Sequence, residues 1–123
     1  WYASGGFTGG GTWVGTVDTG NVGPFRYTFL AGKTMLIWFP LNATTISGVG
    51  ADLRIKVPGG YTVARTVRDF MTVAQPGFDG VGVVIATAAT TRLDLYRDLT
   101  FGTNWPASTN STYLTGKIMI EVQ

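Results

Sequence analysis

Three carboxylates, Asp79, Asp94 and Asp98, are the side chains most readily imagined in an acid–base site. Glycoside hydrolysis needs two such groups facing each other across a cleft. Asp94 and Asp98 are close in sequence, but Glu121 is the one glutamate in the chain, so the supply of acids is thin. Turn-capping and surface roles account for these residues better than catalysis does. The same scarcity works against a calcium site, where several oxygen ligands must converge. The chain contains no histidine and no cysteine. That removes the commonest general base, the thiolate nucleophile and the usual transition-metal ligands. No cofactor and no metal is expected. Gly32-Lys33-Thr34 has the ending of a phosphate-binding loop, yet Tyr27 stands where the motif's first glycine belongs, and an apolar strand follows instead of a helix. A hairpin turn is the better reading.

The segment holding Phe101, Asn104, Trp105, Asn110 and Tyr113 has a different chemistry. Aromatic rings among amides and hydroxyls suit a saccharide: a ring stacks on the apolar face of the sugar while polar groups bond its hydroxyls. These five residues form the candidate ligand site. The alternative is that Trp105 packs against the end of the domain, as large aromatics usually do. The sequons at Asn42 and Asn110 carry little weight in so threonine-rich a chain. Arg65, Arg68, Arg92 and Arg97 are scattered, and either pair with Asp69, Asp94 and Asp98 or reach across a subunit contact.

The elements that must position these groups read as strands. The most apolar run is Met35-Leu36-Ile37-Trp38-Phe39-Pro40-Leu41. It is the length of one buried strand and far too short to span a membrane as a helix. With period two, Met35, Ile37, Phe39 and Leu41 share one face, and Leu36, Trp38 and Pro40 share the other. Both faces are apolar, so the second needs a cover, either from this chain or from a neighbouring subunit. Pro40 lacks a donor and is expected at an edge or bulge near the strand's end.

Leu53, Ile55 and Val57 alternate with Arg54 and Lys56 as a half-exposed strand that stops at Pro58-Gly59-Gly60. Phe25, Tyr27 and Phe29 line another strand, and Trp13 to Val17 forms one before it. Residues 61–74 read as two short strands with a bend near Arg68-Asp69. Val81, Val83 and Ile85, then Leu93 and Leu95, then Ile118, Ile120 and Val122 supply three more. Residues 42–48 and 101–112 are expected to be polar loops. The result is an all-β chain of eight or nine strands, expected as an antiparallel two-sheet sandwich of jelly-roll type. The 123 residues suffice for one domain. Residues 1–12 form a Gly-rich lead or linker, and residues 13–123 the single β-sandwich.

Charged residues make up 13% of the chain, about half the usual share, against 45% hydrophobic and 13% aromatic. Such a surface suits a protein that associates with itself. The net charge of +2 is spread without a basic run, which argues against nucleic acid. No membrane insertion is expected.

Several segments together resemble the C-terminal head domains of bacteriophage tail fibres and tail needles. They are Thr12-Trp13, Tyr27, the apolar strand leading to Asn42-Ala43-Thr44-Thr45, Leu53 through Tyr61 with its Pro-Gly-Gly turn, Leu93-Asp94-Leu95-Tyr96, and Asn104-Trp105 followed by Asn110 through Ile118. The resemblance spans residues 11–123. It implies a tumour-necrosis-factor-like jelly roll, assembled as a homotrimer at the distal end of a fibre or needle on the virion and joined to an upstream shaft. It implies no catalytic residues and a host cell-surface receptor, expected to be a glycan though a protein receptor is also open. On that reading Leu36 and Trp38, with Met119 of the last strand, are the candidates for the trimer contact. A structural virion protein, such as a capsid decoration or tail-tip protein binding only other subunits, is the alternative, and a polysaccharide-cleaving enzyme ranks last.

Overall fold

The computed structural model describes residues 7–9, 26–46 and 48–123. The strand expected at Trp13 to Val17 and the side chain of Phe25 lie outside them. The described residues form eight strands and no α-helix: β1 (Phe7–Gly9), β2 (Arg26–Ala31), β3 (Thr34–Ile46), β4 (Leu53–Lys56), β5 (Val67–Gln75), β6 (Phe78–Ala86), β7 (Arg92–Tyr96) and β8 (Ser108–Glu121). They hydrogen-bond in one antiparallel sheet of order β1-β4-β7-β6-β5-β8-β3-β2, curled into a half-barrel. Within the Gly-rich lead, Phe7–Gly9 pairs with Leu53–Ile55 as an edge strand.

The concave side holds the core, and period-two alternation decides what enters it. Met35, Ile37, Phe39 and Leu41 are all wholly buried, as are Ile55, Leu93, Leu95 and Ile118. They belong to one cluster drawing on β3 through β8, so the apolar alternation of separate strands becomes a single core once the sheet curls. Close approach requires glycine at two places. A Cβ on Gly116 would stand 2.5 Å from Phe39 Cζ and 2.8 Å from Met71 Cβ. One on Gly82 would stand 2.5 Å from the Tyr96 carbonyl oxygen.

Three expected loops or breaks are strand instead. β3 runs on through the polar stretch after Leu41, because a bulge with Ala43 at φ 48° re-aims the chain and lets Thr44 pair with Thr112. Both threonines are buried, and the Thr44 hydroxyl donates to the Thr112 carbonyl at 2.9 Å. β8 correspondingly starts at Ser108, which shortens the expected 101–112 loop. β5 passes through Arg68-Asp69 without bending, because β6 pairs with all nine of its residues, from Val67 opposite Ala86 to Gln75 opposite Phe78. Pro40 sits in the middle of β3, opposite Thr115, rather than near the strand's end as expected.

Candidate functional site

The five residues of the aromatic–amide set do not form one platform. Trp105 is wholly buried: its backbone bridges Gly50 in both directions, and its Nε1–H donates to the Leu95 carbonyl at 3.0 Å. A large ring whose one donor finds a backbone acceptor is more stable inside than out, so Trp105 presents no ring face to a ligand. Asn104 is exposed beside it. Asn110 closes the β8 end of the β3–β8 ladder. Its backbone N–H donates to the Thr45 hydroxyl, which in turn donates to Asn110 Oδ1, both at 3.0 Å.

Phe101 and Tyr113 are exposed but belong to different regions. Phe101 meets Tyr96 edge-to-face at 5.2 Å, and the Arg68 guanidinium lies 5.6 Å from its ring centre. Tyr113 pairs with Ala74, six residues along β5 from Arg68, which is about 20 Å at roughly 3.3 Å per residue. Phe101 also holds φ 60°, a left-handed conformation costly for a bulky residue. The turn before it is fixed by Asp98, whose Oδ1 accepts from the Thr100 N–H at 2.9 Å and its hydroxyl at 2.7 Å. Hydrogen bonds from Thr103 and Thr100 hold the Asp98 carboxyl below its ordinary range.

Of the remaining carboxylates, Asp52 and Asp94 are engaged structurally. On the convex face of β4 and β7, Arg54 Nε lies 2.7 Å from Asp52 Oδ2 and 3.4 Å from Asp94 Oδ1, and Arg92 Nε lies 3.0 Å from the same Asp94 oxygen. Burial pushes the Asp94 carboxyl upward, partly offset by Arg92 and Arg54. The neighbouring Tyr96 phenol is raised by burial first and by the Asp94 charge second. Asp79 is exposed on β6 opposite Ala74. Arg65 pairs with Glu121 at 3.2 Å, and Arg97 lies over the Phe78 ring at 4.5 Å. Among the described residues no group of three or more metal-ligating side chains converges.

Leu36, Trp38 and Met119 do share a surface. The β3–β8 register sets Leu36 opposite Met119 and Trp38 opposite Lys117, all on the convex face. Trp38 is 38% exposed, Met119 51% and, two strands away, Phe70 65%. Phe70, Thr72 and Val81 join this face because β5 pairs with both β8 and β6. Between Trp38 and Phe70 lies an open trough of about 320 Å³, which Thr72, Val81, Thr115 and Lys117 also line. Reading the chain alone missed Phe70, Thr72 and Lys117. The available signal was the alternation Arg68-Phe70-Thr72, hidden by the bend expected at Arg68-Asp69.

No family model, curated protein or solved structure matches the chain.

Proposed function

We propose that this is a non-enzymatic head domain of the bacteriophage tail-fibre or tail-needle type, which assembles as a homotrimer and attaches the virion to a host cell-surface glycan. In that reading the curled sheet is the subunit's jelly roll, and the virion carries it at the distal end of the fibre. The observation that carries the proposal is the convex face: Leu36, Trp38, Met119, Phe70 and Val81 crowd one side of a sheet whose other side already fills the core. Contiguous exposed apolar surface of this kind marks association or ligand binding. Leu36 against Met119, with Trp38 beside them, forms the subunit contact, and a symmetric head multiplies weak single-site binding into avidity.

The test is the solution mass of the domain by sedimentation equilibrium. Three subunit masses are expected, and Trp38→Asp yields a monomer with the wild-type circular dichroism spectrum. A wild-type monomer overturns the trimer. The open apolar face also suits a decoration or tail-tip protein that contacts only other subunits. Incubation with host cells separates the two readings, since such a protein leaves the cells bare.

A further inference from the structure

We propose that the convex-face trough beside Phe70 is a binding site for a negatively charged saccharide, with one sugar ring stacked on Phe70 over the polar floor and its acidic group at Lys117. The proposal rests on the glycan reading above and gives it a place and a chemical class.

The geometry comes from register. β8 lies between β3 and β5, and the pairings run Trp38 opposite Lys117 and Met71 opposite Gly116, which brings Phe70 opposite Lys117 from the other side. Lys117 therefore stands between Trp38, part of the proposed subunit contact, and Phe70, which is 65% exposed. Val81, opposite Thr72 on β6, extends the apolar wall.

The floor is polar. The Thr72 hydroxyl donates its proton to the Thr115 carbonyl at 3.3 Å, so its lone pairs remain to accept from a sugar hydroxyl. The Thr115 hydroxyl and the Lys117 ammonium add further polar groups beside it. Apolar walls over a hydroxyl-bearing floor match a sugar ring, which has carbon–hydrogen faces and a hydroxyl rim; a purely apolar ligand would leave the floor unpaired.

Charge selects the class. Among the described residues no carboxylate forms an ion pair with Lys117. Arg26 stands opposite Trp38 on the same face, and Arg68 precedes Phe70 by two residues on the same side of β5. Of the acids on this face, Asp52 and Asp94 are paired with Arg54 and Arg92, Glu121 is paired with Arg65, and Asp79 lies two residues before Val81. Lys117 is the one charged side chain among the described residues lining the trough, so it favours a sugar carrying a carboxylate or a phosphate. A lysine ammonium acts as a point charge and serves either.

The experiment uses the full chain on an array bearing trigalacturonate, a phosphorylated trisaccharide and neutral maltotriose, followed by calorimetry on the best binder. Wild type is expected to bind an acidic probe at least tenfold better than maltotriose. Phe70→Ala and Lys117→Gln are each expected to weaken that binding about tenfold, with solution mass and melting temperature unchanged, while Lys117→Arg retains it. The two acidic probes distinguish carboxylate from phosphate. If wild type binds an acidic probe and both variants bind it equally well, the trough is not the site although the glycan reading stands. If either variant changes the solution mass, the trough is a subunit contact and the proposal fails. Binding of maltotriose as tightly as the acidic probes overturns the charge selection. If wild type binds neither the array nor glycans extracted from host cells, the glycan reading itself fails.

Discussion

Trp105→Phe is expected to cost about 2–4 kcal/mol of stability and to leave ligand binding by the folded protein unchanged. The indole is wholly buried, and its Nε1–H reaches the Leu95 carbonyl at 3.0 Å. Phenylalanine keeps a ring in place but has no donor. Losing one buried hydrogen bond, with its acceptor left short, costs about 1–3 kcal/mol. The smaller ring also leaves a void of roughly 40 Å³, which at about 24 cal/mol per Å³ adds about 1 kcal/mol. The paired backbone bonds to Gly50 do not depend on the side chain and survive the change. Because a domain of this size has only about 5–15 kcal/mol in hand, phenylalanine is the better test; alanine threatens the fold itself. Urea unfolding followed by circular dichroism is the assay. With a slope of about 2 kcal/mol per molar urea, the midpoint falls by about 1–2 M. A loss below about 0.5 kcal/mol would show that the indole nitrogen is not satisfied inside. Loss of binding at unchanged stability would return Trp105 to the ligand site.

Two further changes probe the core and the charged face. Gly116→Ala places a methyl 2.5 Å from Phe39 Cζ and 2.8 Å from Met71 Cβ. It should destabilise by about 1–3 kcal/mol in the same urea assay, and a neutral result would mean that Phe39 has another rotamer available. Asp94→Asn addresses pH. Because burial raises the Asp94 carboxyl, the native state holds its proton more tightly than the unfolded chain does. The contribution is therefore present below the unfolded value and lost as pH rises through the higher folded one. The variant cannot titrate there, so its melting temperature relative to wild type should climb as pH rises through the ordinary carboxylate range and level off above the raised folded value. A constant difference across that range would mean that Arg54 and Arg92 fully compensate burial.

The strand faces were legible because burial enforces period two. Met35, Ile37, Phe39 and Leu41 point inward together, as do Leu53, Ile55 and Val57, whereas Arg54 and Lys56 do not. Strand ends were less legible. Thr44 and Thr112 carry the polarity of a loop, but they satisfy their hydroxyls within the ladder, Thr44 on the Thr112 carbonyl and Thr112 with Ser108 at 2.6 Å. A β-strand thus continues through a sequence with no apolar pattern. Phe7–Gly9 is a similar case: glycine density suggests a linker, and the backbone pairs all the same. Trp105 misled for the opposite reason. Its neighbours Asn104 and Ser108 are polar, and only the distant partners Gly50 and Leu95 determine that it goes inside.

What a single strand cannot reveal is which strand lies beside it. The apolar run at Met35 to Leu41 needed two covers, and its sequence identified only the need. The core covers one side. On the other, Trp38, Lys117 and Phe70 become neighbours solely because β8 inserts between β3 and β5. Each looks unremarkable in its own segment: an apolar tryptophan, a lone lysine, a phenylalanine beside an expected bend. Their juxtaposition is a property of long-range register, in which one slip would turn every one of these side chains to the core. The same register makes Leu36 and Met119 direct partners, so the proposed division of the face has a physical test. Changes at Leu36 should lower the solution mass of the assembly, and changes at Phe70, on the far side of β8, should alter saccharide binding alone.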